Sequence, residues 1–164
     1  MHILYLHQHF STPEGSTATR SFAFARALAA RGHRVTLATG RYQGGETGLA
    51  GAFRHGQRQG RVAGFEVLEW DIPYANAMGF AGRGAAFLRY AAAAGRLALK
   101  LRPDLVVASS TPLTVALPAL LAKALRGIPF IFEIRDPWPE LPRAMGVLPM
   151  PFAPVLEALA NLAC

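Results

Sequence analysis

Residues 2–39 read HILYLHQHFSTPEGSTATRSFAFARALAARGHRVTLAT, and this stretch predicts how the chain folds. Two short apolar runs, residues 2–7 and 34–39, have the length of buried strands. Between them, apolar side chains recur at the spacing of one helix face, namely at Phe22, Ala25, Leu28 and Ala29. Gly32 follows this face and is suited to end a helix. The stretch therefore predicts a strand–helix–strand unit, the building block of a parallel sheet.

The same alternation continues along the rest of the chain. Further strands are predicted at residues 65–70, 104–109 and 129–134, and further helices at residues 82–102, 113–126 and beyond Pro151. This pattern predicts an α/β fold, a Rossmann-like parallel sheet with helices on both faces, with residues 1–164 as a single domain. Right-handed crossovers favour the strand order 3-2-1-4-5. Ligands of such sheets bind at the carboxyl ends of the strands, so the loops after strands one, four and five form the candidate site.

The amino-acid composition and net charge of the chain indicate which classes of partner it can bind. With 52% hydrophobic and 16% charged residues, the chain of 164 residues can bury a sizeable core and is not expected to be disordered. Seventeen Lys and Arg against ten Asp and Glu give a charge of +7, which suits nucleic acid, anionic lipid or a phosphorylated substrate. The alternative is that a composition rich in arginine and alanine reflects a GC-rich genome. Residues 40–64 are rich in glycine and arginine and are predicted to form a flexible, exposed loop.

The sequence predicts a cytoplasmic protein. Its single cysteine, Cys164, allows no disulfide within the chain, which favours a reducing compartment. No signal peptide is expected, because the chain enters a strand at once, and no window is long and uncharged enough to predict a membrane span. The five histidines lack the spacing of metal ligands, so no metal is expected. No cofactor is expected either. His7 and His9, at the end of the first predicted strand, could touch a ligand.

The predicted helix at residues 82–102 is basic and amphipathic. It carries Arg89, Arg96 and Lys100 on one side and apolar side chains elsewhere. Such a helix can lie on an anionic membrane surface. Equally, it can pack on the sheet and leave its charges in solvent.

The loop after strand one has the residues of an anion site but not the spacing of a known nucleotide motif. It contains neither G-x-G-x-x-G nor G-x-x-x-x-G-K-[ST]. Gly15 can adopt a positive φ and let a ligand approach the backbone, and Ser16 or Thr17 near the helix start could leave N–H groups free for phosphate. Arg20 could reach the same anion or be solvated. A turn followed by a helix cap, without a ligand, explains these residues as well.

The loop after strand four offers three hydroxyl groups, on Ser109, Ser110 and Thr111. They can hydrogen-bond a sugar or a phosphate, but they can also cap the next helix. Both interpretations remain open.

The loop after strand five, EIRDPWPELP (residues 133–142), is richest in chemistry. Asp136 could act as a general base that takes a proton from a hydroxyl nucleophile, and Trp138 could stack on a sugar ring. Arg135 and Glu140 stand on either side of them. The alternative is an Arg135–Asp136 ion pair with Trp138 buried under the following helix.

Three segments together resemble one family. ILYLHQHFSTPEGSTATRSFAFARALAARGHRVTLAT, PDLVVASSTPLTV and PFIFEIRDPWPE resemble the N-terminal domain of bacterial family-4, retaining glycosyltransferases of the GT-B fold. The closest likeness is to members that build cell-surface polysaccharide. The resemblance implies that Gly15, Ser16, Thr17 and Arg20 form a loop near the donor phosphates, although many members have a second glycine where Ser16 stands. It implies that Asp136 is the catalytic acidic residue. The implied acceptor-binding residues are Glu14, Ser109, Ser110, Thr111, Arg135, Trp138 and Glu140.

The resemblance also implies a function. The chain would be the acceptor-binding half of an enzyme that moves a sugar from a nucleotide-sugar donor to a lipid-linked saccharide, at the inner membrane face. The nucleotide sugar is then a substrate, and the donor-binding C-terminal domain is expected to be missing, since the chain stops within a predicted helix. Alone, the chain is expected to be inactive. The alternatives are a non-catalytic subunit that needs a separate C-terminal partner, and another GT-B enzyme such as a sugar-nucleotide 2-epimerase. Nucleic-acid binding is disfavoured, because the arginines are spread over several loops.

Overall fold

The computed structural model describes residues 1–16, 19–135 and 153–163. Its strands are β1 (His2–Leu6), β2 (Arg34–Tyr42), β3 (Gln57–Val62), β4 (Phe65–Tyr74), β5 (Leu105–Ser109) and β6 (Phe130–Glu133). Its helices are α1 (Arg20–Ala30), α2 (Phe80–Leu101), α3 (Ala116–Arg126) and α4 (Ala153–Ala163), with a 3₁₀ turn at Leu113–Val115.

The strands form one sheet in the order β3-β4-β2-β1-β5-β6. All neighbouring strands run parallel except β3, which pairs antiparallel with β4. Without β3, this order is the predicted 3-2-1-4-5, and the predicted α/β fold class is confirmed. The order reverses between β1 and β5, so their carboxyl ends border the crevice in which ligands of such sheets bind.

Alternation along the strands places the core on both faces of the sheet. In β1, Ile3 and Tyr5 pack toward α1, whereas Leu4 and Leu6 pack toward α2 and α3. Small residues in α2 let that helix approach its neighbour closely, since a Cβ on Gly95 would lie 3.1 Å from Cδ2 of Leu121. Helices of the described chain thus cover both faces of the sheet.

Residues 40–64 differ from the predicted flexible loop. Strand β2 continues to Tyr42, and β3 occupies Gln57–Val62, so the loop prediction is wrong for these parts. The sequence of β3, QRQGRV, has little of the β-branched and aromatic character of a strand, but pairing with the hydrophobic β4 forms it. Ala63 and Gly64 both have positive φ, 46° and 96°, which suits the tight turn between β3 and β4.

A buried ion pair fastens this segment to the sheet. Glu69 in β4 is only 1% exposed, and its Oε2 accepts hydrogen bonds from Nε of Arg58, 2.8 Å away, and from Oγ1 of Thr47, 2.7 Å away. Burying a carboxylate is unfavourable unless it is paired and hydrogen-bonded. Thr47 and Arg58 supply those partners from two parts of the predicted loop, and so they hold it in one conformation.

Candidate functional site

A hydrogen-bonded chain lies at the carboxyl ends of β1 and β6. His7, one residue after β1, is 1% exposed. Its Nε2 lies 2.9 Å from Nη1 of Arg135, and its Nδ1 lies 2.7 Å from Oγ of Ser21 in the first turn of α1. A guanidinium group can only donate, so Nε2 is the acceptor and the ring proton is on Nδ1, which donates to Ser21. We call these three residues the His7 chain.

The surroundings of His7 keep its imidazole neutral. Burial lowers the pKa of His7 well below its usual value, and the positive charges of Arg135, His9 and Arg20 lower it further. A protonated ring would have no acceptor left for Arg135. The hydrogen bond from Arg135 to His7 therefore requires a neutral ring, and the positive charge of Arg135 helps to keep the ring neutral.

Arg135 is held from a second side by the loop after β5. Its backbone N–H donates to Oγ of Ser110 over 2.9 Å, and the N–H of Ser110 donates to the carbonyl of Glu133 over 2.9 Å. The Nε atom of Arg135 is buried and has no hydrogen-bond partner within residues 1–16, 19–135 and 153–163. The guanidinium is thus held at the carboxyl ends of the strands, and its buried Nε–H is not used by the described residues.

Glu133, the last residue of β6, joins two further elements at this edge. Its Oε1 lies 3.3 Å from Nε of Arg20, and its Oε2 accepts a hydrogen bond from the hydroxyl of Tyr5 over 3.2 Å. Burial, and then the adjacent Glu133 carboxylate, raise the pKa of Tyr5 well above its usual value. The start of α1, β1 and β6 are therefore connected through one carboxylate.

The strand-one loop is bonded to the segment that follows β2. The N–H and Oγ of Ser16 both donate to the carbonyl of Gly44, over 3.0 and 2.9 Å, and the N–H of Gly15 donates to the carbonyl of Thr12 over 3.1 Å. A Cβ on Gly15 would lie 2.7 Å from the backbone nitrogen of Glu46. These N–H groups are thus used inside the protein, and Gly15 permits a close approach of two backbones.

The helix starts later than the loop residues suggested. Helix α1 begins at Arg20, its N-cap is Thr19, and no side chain caps it. The prediction that Ser16 or Thr17 stands near the N-cap is therefore wrong for Ser16, and Thr17 lies outside the described residues. The N-cap of the 3₁₀ turn is Pro112, which makes no side-chain cap hydrogen bond, and Oγ of Ser110 accepts from the backbone of Arg135.

An aromatic cluster lies beside the same edge. The ring of His9 stacks on Tyr74 with centroids 4.3 Å apart, and Tyr42 and Phe87 lie 5.1 and 6.3 Å from it. Burial, with a smaller effect from Arg135, lowers the pKa of His9 to about 4. The cluster adds an apolar wall at the ends of β1, β2 and β4.

The family now follows from comparison with known proteins. Residues 15–162 match the family model of the glycosyl transferase 4-like domain. The chain belongs to this family. No curated protein matches its sequence.

Two solved structures show the same fold as this glycosyl transferase 4-like domain. One is described as trehalose-6-phosphate from E. coli bound with UDP-2-fluoro glucose; it has 12% identity, a TM-score of 0.55, and covers 100% of this chain but 38% of its own. The other is described as the glycotransferase of kitacinnamycin, with 26% identity, a TM-score of 0.50 and coverage of 96% and 34%. Both neighbours are GT-B glycosyltransferases. The chain spans little more than a third of their length.

The predicted site residues of this glycosyl transferase 4-like domain that the structure describes fall into three groups. Ser110 and Arg135 are in direct contact, and Arg20 joins them through Glu133. Glu14 is exposed, and Gly15 and Ser16 pack on the segment after β2. Ser109 is buried, and Thr111 follows Ser110. The remaining predictions lie outside the described residues: Thr17, Asp136, Trp138 and Glu140.

Sequence reasoning missed Tyr5, Ser21 and Glu133, and it named His7 only as a residue that could touch a ligand. Each looks like an ordinary strand or helix residue in the sequence. The signal that could have found His7 and Glu133 is their position at strand ends, with His7 beside the reversal of strand order and Glu133 on the strand next to β5.

A cavity of about 500 Å³ lies elsewhere. It is bounded by α2 and the β3–β4 hairpin, with Trp70, Arg96 and Lys100 in its lining. Thr36 and Glu66, near the amino ends of their strands, also line it, so it does not open at the carboxyl edge.

Within the described residues, no group of three His, Cys, Asp or Glu side chains is arranged to hold a metal ion. The helices in this part of the chain are too short or too polar to cross a membrane.

Proposed function

We propose that the chain is the acceptor-binding domain of a retaining glycosyltransferase. In this proposal, the enzyme transfers a sugar from a nucleotide-sugar donor to a lipid-linked saccharide in the synthesis of cell-surface polysaccharide. The observation that carries the proposal is the fixed Arg135–His7–Ser110 edge in a domain of the glycosyl transferase 4-like family. Cations and hydroxyl groups at a strand-end crevice suit a substrate with both sugar and phosphate groups.

The donor would be held largely outside this chain. The two structural neighbours are nearly three times as long, and one was solved with UDP-2-fluoro glucose. We propose a donor-binding domain in addition to the present one, and no transfer by the 164 residues alone. The loop of Gly15, Ser16 and Thr17 would lie near the donor phosphates. Arg20, whose side chain is half exposed and pairs with Glu133, would supply positive charge there.

The proposed reaction needs neither a metal nor a further cofactor. The acceptor hydroxyl oxygen bonds to the anomeric carbon on the face from which the nucleoside diphosphate departs. The bond between that carbon and the diphosphate oxygen breaks, and its electron pair leaves with the diphosphate. Asp136 accepts the hydroxyl proton.

The acceptor would be bound by hydroxyl, charged and aromatic groups of the same edge. Ser109, Ser110, Thr111 and Arg135 supply the first two kinds, with Glu14, Trp138 and Glu140 proposed beside them. The cluster of His9, Tyr42, Tyr74 and Phe87 adds apolar surface of the kind that pyranose rings pack against.

Contact with the inner membrane face is supported by the surface of α2 and α3. These helices pack side by side, and Leu88 and Leu125 are 60% and 61% exposed. Exposed basic residues accompany them, namely Arg89, Arg96, Lys100, Lys123 and Arg126. Apolar side chains among cations favour an anionic lipid surface.

The proposed function is tested in an enzyme that contains both this domain and its donor-binding domain. Asp136→Asn should abolish most of the transfer while leaving the fold intact, because an amide cannot accept the hydroxyl proton. Unchanged transfer would show that Asp136 does not have the proposed role. For the membrane contact, the Leu88→Ser and Leu125→Ser double variant should lose binding to vesicles that contain phosphatidylglycerol, and vesicles of phosphatidylcholine alone serve as the control.

A further inference from the structure

We infer that His7 is a positioning residue, which holds the guanidinium of Arg135 in place to bind a phosphate group of the substrate. The inference rests on the proposed function only for the source of that phosphate. It rests on the His7 chain for the geometry: Oγ of Ser21, the imidazole of His7 and Nη1 of Arg135 are joined by bonds of 2.7 and 2.9 Å.

The chain allows one arrangement of donors and acceptors. Nη1 of Arg135 must donate, so Nε2 of His7 must be unprotonated. The remaining ring proton then lies on Nδ1 and points to Ser21, which is itself 1% exposed and belongs to the first turn of α1. The other tautomer would place its N–H against the guanidinium and lose the bond to Arg135, and a flipped ring would place C–H groups against both partners. His7 therefore orients Arg135 before any ligand arrives, which reduces the entropy lost on binding.

The positive charge and the N–H donors of Arg135 have few partners in the rest of the described chain. Of its five N–H donors, one is used by His7, and the buried Nε–H has no acceptor there. The neighbouring carboxylate, Glu133, pairs with Arg20 instead. Within residues 1–16, 19–135 and 153–163, no carboxylate lies within ion-pair distance of Arg135. A phosphate group has several acceptor oxygens and matches a guanidinium with two parallel hydrogen bonds.

Two substitutions of His7 each retain one of its two hydrogen bonds and remove the other. His7→Gln can place its amide oxygen near the Nε2 position and so keep an acceptor for Arg135. His7→Asn, which is shorter, reaches only the Nδ1 position and keeps the contact with Ser21 alone. We would measure the affinity of the 164-residue chain for inorganic pyrophosphate by calorimetry at fixed ionic strength. Arg135→Gln should weaken binding roughly tenfold, because a charge-assisted hydrogen bond is lost.

The pattern across variants decides the inference. His7→Asn should weaken pyrophosphate binding as much as Arg135→Gln does, and His7→Gln should stay near the wild type. Arg34→Gln, at the exposed amino end of β2, controls for the general effect of one positive charge and should change little. Equal affinities for His7→Gln and His7→Asn, or full affinity for Arg135→Gln, would overturn the inference.

A second measurement needs no variant. Nitrogen NMR of the labelled wild-type chain should show a neutral His7 ring with the proton on Nδ1 at pH 7. A proton on Nε2, or an imidazolium ring, would overturn the inference even if the variants failed to fold. Failure of the proposed function looks different: a two-domain enzyme without glycosyl transfer, but with the expected pyrophosphate pattern in this chain, would refute that function alone.

Discussion

Nε of Arg20 lies 3.3 Å from Oε1 of Glu133, so the first residue of α1 is paired with the last residue of β6. Half of the Arg20 side chain is exposed, whereas 18% of the Glu133 side chain is. Because Tyr5 donates to the other oxygen of Glu133, the carboxylate is held in place from both sides. It therefore reduces the positive potential that an arriving anion meets at this edge.

Glu133→Gln should strengthen pyrophosphate binding several-fold, because it removes the charge that compensates Arg20. The change in the free energy of unfolding should stay below about 1 kcal/mol, as is usual for a partly exposed pair. Calorimetry and urea unfolding measure the two effects. Glu66→Gln, on an exposed part of β4, is the control for net charge. Weaker binding in Glu133→Gln than in this control would contradict the expected role.

Glu69→Gln should destabilise the chain by about 2–4 kcal/mol, because it leaves the partly buried Arg58 without its carboxylate. Glu66→Gln on the opposite face of the same strand should change the free energy of unfolding by less than about 0.5 kcal/mol. Urea unfolding compares the two. A similar small effect for both would show that the buried pair does not hold residues 43–56 to the sheet.

Gly15→Ala should lower the free energy of unfolding by about 1–3 kcal/mol, since the new Cβ would overlap the backbone of Glu46. Gly84→Ala in α2 is a matched control with the opposite sign. Its Cβ meets no atom within 4 Å, and alanine favours a helix by about 0.5–1 kcal/mol over glycine. Thermal unfolding should separate the two variants, and a neutral Gly15→Ala would mean that the two loops do not pack as closely as described.

His9→Phe should make the chain less sensitive to acid. The pKa of His9 is about 4 in the folded chain, so between pH 6.5 and 4 the unfolded chain binds a proton that the folded chain does not. The contribution of neutral His9 to the free energy of unfolding is therefore fully present above pH 6.5. It is lost as the pH falls, by about 3 kcal/mol at pH 4. Phenylalanine suits the rings of Tyr42, Tyr74 and Phe87 and removes this loss.

Arg135 is the charged group that lowers the pKa of His9, and His7 has its own lowered pKa, so part of the acid sensitivity should remain. Tyr42→Phe is the control, because it alters the same cluster but keeps the histidine. Urea unfolding at pH 7 and pH 5 measures the difference. If His9→Phe lost as much stability in acid as Tyr42→Phe, burial of His9 would not be the cause.

The sequence could predict the parallel part of the sheet because its strands are short apolar runs separated by helices, which is a local pattern. Strand β3 could not be predicted in this way. Its residues Gln57, Arg58 and Gln59 are polar, and the strand exists because β4 lies beside it and Glu69 binds Arg58. Tertiary pairing here outweighs local propensity.

The candidate site was predictable in outline and not in its contacts. Loop composition indicated Ser110, Arg20 and Arg135, and strand order brings their loops to one edge. The partners of these residues come from distant parts of the sequence: His7, itself bonded to Ser21, for Arg135, and Glu133 for Arg20. Likewise, the N–H groups of Gly15 and Ser16 look free in the sequence, but Ser16 donates to Gly44 in the structure.

The most direct test of the central claim is an NMR titration of the isotope-labelled chain with a sugar joined through a diphosphate to a short isoprenoid. The proposed acceptor site predicts shifted amide signals in residues 7–16, 109–111 and 133–135, at the carboxyl edge. Signals of Gly32, Asp104 and Gly127, at the opposite edge, should stay in place. Shifts confined to the opposite edge, or no shifts under conditions in which the chain binds pyrophosphate, would contradict the claim that this domain binds the acceptor.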